Sequence, residues 1–222
     1  MTDTLPADPT LDEVRVHLAP RIAANAAFDG WNAAALDATA LAAGVDPDIA
    51  RTAFDGAKPV AMIDAWFETV DARMAATLPP ERLAAMKVRE RIAALVEARL
   101  DLLAPDREAL RRALAILAMP QNVARAARMG WRAADVMWRL AGDTATDYNH
   151  YTKRGILGSV YAATIAVFLD DESAGQANTR AFLQRRIDGI MRFEKTKAQL
   201  LGRGQHRPSL SRFIGRLRYP VA

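Results

Sequence analysis

The sequence predicts an all-α protein, and three observations carry that prediction. Apolar residues recur at helical rather than alternating spacing, Ala, Leu and Arg abound, and Gly or Pro punctuates the pattern every 10 to 25 residues. The 222 residues suit one domain of ordinary size, or a small domain joined to a larger one, with enough chain to bury a core. The longest uncharged stretch, "GILGSVYAATIAVFL" at 155–169, falls well short of the ~20 apolar residues of a membrane span, so it reads as a buried helix.

The first helix is expected over 11–27, with Pro9 at its start and Pro20 in its interior, where a missing N–H and a ring clash favour a kink or a split. The stretch "AAGVDPDIARTAFDGAK" at 42–58 then has the cadence of a DNA-reading unit. Helices over 32–43 and 47–54 flank a turn at Gly44, and Asp46 and Pro47 open the second. A longer helix over 59–76 carries Trp66 and Phe67 and completes an N-terminal unit, residues 1–78. Beyond Pro79 and Pro80, helices are expected over 81–103, 106–117, 120–141, 146–170 and 176–199, each break marked by Pro, Gly or acidic turn residues. These make a second region, 79–200. A linker and a last short helix follow at 201–222.

Charge argues against DNA reading. Residues 1–70 carry Arg15, Arg21, Arg51 and Lys58 against eleven acidic residues, a balance of −7, whereas a DNA-reading helix depends on neutralising phosphate. The second helix of the pair has Arg51 alone among Asp46, Asp48 and Asp55. From 180 onward the sign reverses: eleven basic residues face Asp188 and Glu194, a balance of +9 hidden inside the chain's net +4. Such a segment suits nucleic acid, an acidic protein or an anionic membrane, and charge alone does not choose among them. With no cysteine and no histidine pair at ligand spacing, neither a metal site nor a cofactor is expected. The acidic start "MTDTLPADPTLDEV" has neither a secretory nor a transit pattern, which predicts a cytoplasmic address.

The most unusual stretch is "GWRAADVMWRLAGDTATDYNHYTKRGILGSVYAATIAVFL". Trp131, Asp135 and Trp138 share one helical face, while Ala133, Met137, Leu140 and Ala141 cover another, so this helix is apolar most of the way round. Core packing accounts for both Trp residues in the plainest reading. Gly142 ends that helix, and Thr144 or Thr146 caps the next. Helix capping leaves unexplained the rings of Tyr148, His150 and Tyr151 beside Lys153 and Arg154, which suggest either a recognition patch or the mouth of an apolar cavity. Asp143, Asp147 and His150 could form a carboxylate–histidine pair. No nucleophile elbow, phosphate-cradling loop or Glu-x-x-His pair accompanies them, so no catalytic residue is assigned and an enzyme is not expected.

The stretches "ALAILAMPQN", "ADVMWRLAGDTATDYNHYTKRGIL" and "AFLQRRIDGIMRFEKTKAQL" strongly resemble the Coq-nine family, accessory proteins of ubiquinone (coenzyme Q) biosynthesis. The resemblance spans roughly residues 10–200 and is most specific over 119–157. It implies a TetR-regulator-like fold, with a degenerate helix-turn-helix followed by a helical domain that binds lipid and forms a homodimer. It also implies an isoprenoid quinone intermediate or phospholipid as ligand and the demethoxyubiquinone hydroxylase as partner. Carried over by position, the hydroxylase patch falls on Met137, Asp147, His150 and Tyr151, with Arg154 adjoining and Tyr148 beside it. The chain departs from relatives that carry Trp where it has His150. For the lipid cavity the expected residues are Trp131, Met137, Trp138, Leu140, Leu157 and Val160.

The tail "SLSRFIGRLRYP" carries a separate signal. Leu210, Phe213, Ile214 and Leu217 recur at i, i+3, i+4 and i+7, an apolar arc with Arg212 and Arg216 opposite and Arg218 at its flank. This suits an amphipathic helix lying on an anionic membrane surface, or docked on the protein's own body. The sequence therefore predicts a non-enzymatic lipid-binding adaptor, peripheral on the inner face of the cell membrane and without nucleic acid. A TetR-like DNA-binding regulator is the alternative, and a hydrolase around Asp147 and His150 the third class.

Overall fold

Folding of the N-terminal helix begins at a cap written in the sequence. Thr10 Oγ1 accepts from the Glu13 N–H (3.3 Å) and Glu13 Oε2 accepts from the Thr10 N–H (2.8 Å), a reciprocal pair that opens α1 (Leu11–Ala26). The computed structural model describes residues 5–144 and 148–204, and side chains for all of these except 148, 149 and 191–204. Pro20 neither ends nor splits α1. Val14, Leu18, Ile22 and Ala26 form a fully buried stripe along the helix. Burial of ~1.5–3 kcal/mol for each large side chain outweighs the ~3 kcal/mol cost of an interior proline.

Asn32 caps α2 (Ala33–Ala42) by accepting from the Ala35 N–H (3.0 Å), and Asp46 caps α3 (Pro47–Ala53) by accepting from the Asp48 N–H (2.7 Å). Gly44, at φ +72°, makes the turn between them. The next helix, α4 (Pro59–Thr77), is buried on most sides, through Val60, Met62, Ile63, Trp66, Phe67, Val70 and Met74 among others. Trp66 packs 5.4 Å from the Trp31 ring and 5.3 Å from Phe67, and the Trp31 indole donates to the Ala109 carbonyl (3.1 Å).

Residues expected as one helix over 81–103 form two: α5 (Pro80–Ala84) and α6 (Val88–Leu103). The guanidinium of Arg91 stabilises the break, donating to the carbonyls of Ala84 (3.2 Å), Met86 (2.9 Å) and, far along the chain, Ala141 (2.8 Å). It satisfies helix-end carbonyls that would otherwise be orphaned. Four further helices follow: α7 (Arg107–Leu117), α8 (Val123–Leu140), α9 (Tyr148–Leu169) and α10 (Ala177–Gly204). Among the described residues there is no strand, and no helix is long and apolar enough to cross a membrane.

α4 packs against α1, α6, α7 and α8, and α8 runs along α9. The chain divides into one unit ending at Leu183 and another beginning at Gln184. The boundary expected near residue 78 thus lies within the first unit, because α4 belongs equally to the helix-turn-helix and to the helices that follow. Inside this unit Asp71 of α4, nearly buried, pairs with Arg99 of α6, which is 2% exposed. Arg99 Nε also donates to the Tyr161 hydroxyl of α9 (2.6 Å).

The junction before α10 depends on Asp171. Its carboxylate accepts from the N–H and hydroxyl of Ser173 (2.9 and 2.5 Å) and of Thr179 (2.8 and 2.6 Å). These bonds, the Ser173 and Thr179 hydroxyls foremost, hold the Asp171 carboxyl far below the usual carboxylate range. A depressed folded-state pKa gives stability that is present above the unfolded value, ~3.9, and lost as pH falls below it. Asp171→Asn is therefore expected to lower the neutral-pH melting temperature and to flatten its decline between about pH 4 and pH 2. Parallel thermal melts across that range check both outcomes.

Candidate functional site

The face of α9 carrying Gly158, Tyr161, Ala162, Ile165, Ala166 and Leu169 opposes the face of α8 carrying Val123, Ala126, Ala127, Gly130 and Ala133. Both sets follow helical i, i+3, i+4 spacing. Between them, closed by Leu114 and Leu117 of α7, lies a groove of about 490 Å³. Its walls are low because the residues are small, and Ala127, Ala162 and Ala166 are exposed along it. No atom lies within 4 Å of where a Cβ would stand at Gly130 or Gly158, so the helix backbones themselves line part of the space. Among the described residues only Arg99 and Tyr161 bring polar groups to the groove, and they bond to each other at its floor beside Phe67.

This groove is not lined by the residues expected to line it. Met137 is fully buried and shares its face of α8 with Met129, Ala133 and Ala134. Leu157 and Val160 are buried one position away from the α9 residues that do line the groove. Leu140 is half-buried outside it. Trp138 is likewise outside, its indole donating to the Lys153 carbonyl (3.0 Å) and the Lys153 ammonium standing 5.3 Å over its ring. Trp131 lies at the surface, 39% exposed. The lining residues went unassigned because Ala and Gly carry no chemical signal of their own, although their regular spacing in α8 and α9 was there to be read.

At the surface, the expected aromatic patch is present with a changed membership. Trp131 of α8 meets Tyr151 (6.0 Å between centroids) and His150 (6.5 Å) of α9, and His150 meets Tyr151 edge-on at 5.1 Å. Tyr151 is 64% exposed. Three rings from two helices thus form one exposed apolar–polar cluster, with Trp131 moved from the cavity set into it. Two residues expected in the patch turn inward. Met137 is core, and Arg154, 2% exposed, is held by Asp135 (2.6 Å) and Asp143 (3.0 Å) while donating to the His150 carbonyl (3.1 Å). A buried guanidinium needs such partners, and this pairing anchors the first turns of α9 under the rings. Asp147, the Tyr148 side chain and the tail residues Leu210, Arg212, Phe213, Ile214, Arg216, Leu217 and Arg218 lie outside the described residues.

On α3 the basic side chain is already paired. Arg51 spends Nε and Nη2 on both oxygens of Asp37 (2.9 and 2.5 Å), which raises its pKa further, and Nη1 approaches Asp48 (3.5 Å). Among the described residues no group of acidic or histidine side chains could hold a metal.

The placements of Arg154 and Tyr151 separate core from surface. Arg154→Ala strands two carboxylates and is expected to cost about 3–5 kcal/mol. Tyr151→Ala removes an exposed ring and should cost no more than about 1 kcal/mol. Urea unfolding of the two variants checks the difference.

Comparison with known proteins bears on the same helices. Residues 123–194 match the COQ9 family, a span that takes in α8, α9 and part of α10 and is narrower than the reach of the resemblance read from the sequence. Over 110 residues, 50% of this chain, it is 38% identical to the mitochondrial ubiquinone biosynthesis protein COQ9 of Rattus norvegicus and 36% identical to that of Homo sapiens. The mitochondrial probable coq9 of Dictyostelium discoideum is 28% identical over 115 residues. The match covers about a third of the length of these relatives, 35% in rat and human. The chain is also similar to the crystal structure of the TetR transcriptional regulator from Nitrosomonas europaea ATCC 19718, with a TM-score of 0.62 and 24% identity. That likeness covers 80% of this chain and 96% of that one. The fold is therefore TetR-like and all-α, as expected.

Proposed function

We propose, for a chain whose helices α8 and α9 carry COQ9 family sequence, that it acts in ubiquinone biosynthesis as a lipid-binding accessory protein rather than an enzyme. In this reading it lifts a prenylated benzoquinone intermediate from the membrane and presents it to demethoxyubiquinone hydroxylase. It works as a homodimer, peripheral on the inner face of the cell membrane. The observation that carries the reading is the apolar groove between α8 and α9, inside the matched span.

The physical need is solubility. A prenyl tail gains ~0.8 kcal/mol for each CH₂-sized unit buried in lipid, so a carrier must offer comparable apolar surface. Exposed Ala and Gly walls suit a flexible branched chain, because the backbones approach it closely and few side chains need to reorder. The exposed rings of Trp131 and Tyr151, with half-buried His150 beside them, suit an anchor point for the hydroxylase, since aromatic residues dominate interface energetics. The DNA-binding alternative finds no support in α3, where Arg51 is tied to Asp37.

Mass spectrometry of organic extracts of the purified protein is expected to find isoprenoid or phospholipid, and a lipid-free preparation that fails to bind either would overturn the reading. Gly158→Leu places a side chain into the open groove, and should reduce lipid content at least severalfold with no loss of melting temperature. Tyr151→Ala should weaken hydroxylase binding about tenfold or more, measured by surface plasmon resonance, while leaving lipid content unchanged.

A further inference from the structure

Helix α8 lines a second cavity on its opposite face. Arg125, Arg128 and Arg132 line a cleft of about 400 Å³ whose other walls bring Arg15 of α1, Asp55 of the α3–α4 turn and Asp64 of α4. Four guanidiniums and two carboxylates line it, and Glu68 and Asp71 stand within ion-pair distance of Arg132. Arg132 takes most of the compensation, with Asp64 at 2.6 Å, Glu68 at 3.0 Å and Asp71 at 3.6 Å. The others are loosely compensated: Arg15 meets Glu68 at 3.4 Å, Arg125 meets Asp55 at 3.6 Å, and Arg128 has no carboxylate partner among the described residues. Arg15 is fixed in place all the same, through a 3.1 Å bond to the Ala53 carbonyl and its position 5.8 Å over the Phe54 ring.

The turn that supplies Asp55 is strained. Asp55, Gly56 and Ala57 lie consecutively in the left-handed region, at φ +58°, +74° and +63°, and two of them are not glycine. This conformation brings a carboxylate to Arg125 at 3.6 Å and to Lys58 at 3.9 Å, both too long for a hydrogen bond, on the rim of an arginine-lined cleft.

We propose that the cleft binds a phosphate-type dianion, with Arg125 and Arg128 as its principal ligands, Arg15 as a third, and Asp55 as a resident anion that the ligand displaces. Guanidiniums arriving from two helices in different directions match a tetrahedral dianion, whereas a planar carboxylate is satisfied by one guanidinium fork. The acidic balance of −7 over residues 1–70 disfavours extended nucleic acid and leaves a compact phosphate as the fitting class. A free phosphate compound and a phospholipid headgroup share this chemistry. The site is separate from the groove, since Met129 and the body of α8 stand between them.

Titration calorimetry of the full chain with inorganic phosphate at pH 8 and low ionic strength is expected to show one saturable site that weakens with added salt. The double variant R125A/R128A should bind at least tenfold more weakly while keeping its melting temperature, because neither side chain is buried. Asp55→Asn should bind severalfold more tightly, since asparagine tolerates the left-handed conformation and removes the competing charge. Soluble dihexanoyl phosphatidic acid serves as a second titrant. Tighter binding than inorganic phosphate, lost in R125A/R128A, identifies a lipid headgroup as the source; equal or weaker binding, also lost, identifies a free phosphate. Absence of saturable binding by either titrant, unchanged affinity in R125A/R128A, or no tightening in Asp55→Asn overturns the proposal.

Discussion

A single buried charge constrains how the helices of the first unit pack. Asp71 projects from α4, a helix buried on most sides by apolar residues, and a lone carboxylate there would cost several kcal/mol. Arg99 answers it from α6, Tyr161 from α9 holds the Arg99 Nε, and Arg132 of α8 comes within 3.6 Å of the second carboxylate oxygen. The Phe67 and Tyr161 rings lie 5.7 and 5.4 Å from the Arg99 guanidinium. Four helices are thereby held in one register. The floor of the groove is the covered end of this same knot.

Helix α8 divides its surface three ways. Val123, Ala126, Ala127 and Gly130 leave space toward α9, Arg125, Arg128 and Arg132 line the cleft toward α1 and α4, and Trp131 reaches the surface to join two rings of α9. Met129, nearly buried, stands between groove and cleft. An apolar stripe and a basic stripe on opposite sides give the helix its strong amphipathic character. A ligand on either side would press on the same rigid rod.

The helix-turn-helix keeps its backbone geometry. Its caps, its turn at Gly44 and its packing against α1 are in place, and Arg51 of α3 is bound to Asp37 of the preceding helix. The TetR-like backbone rests on buried side chains of α1, α2, α3 and α4, and that core makes no demand on the sign of the exposed charges.

The sequence by itself determined the helices and most of their ends. Thr10, Asn32, Asp46, Pro47, Pro59 and Gly142 act through local hydrogen bonds and backbone preferences, which need no distant partner. It also showed His150 and Tyr151 together near a helix start, but not that Trp131 of α8 meets them. The break at 85–87 was hidden, since the Arg91 bond to the Ala141 carbonyl joins residues fifty positions apart. The inward turn of Arg154 and Met137 was hidden for the same reason. Most of all, tertiary structure decided where the groove lies. Pattern reading named Trp131, Met137, Trp138, Leu140, Leu157 and Val160 for the lipid cavity; Met137, Leu157 and Val160 are buried, and Trp138 lines a separate pocket with Val88, Gly142 and Asp143. A cavity is bounded by residues that fail to fill it, here Ala and Gly on two facing helices, and only the packing of those helices shows which small residues have no neighbour opposite.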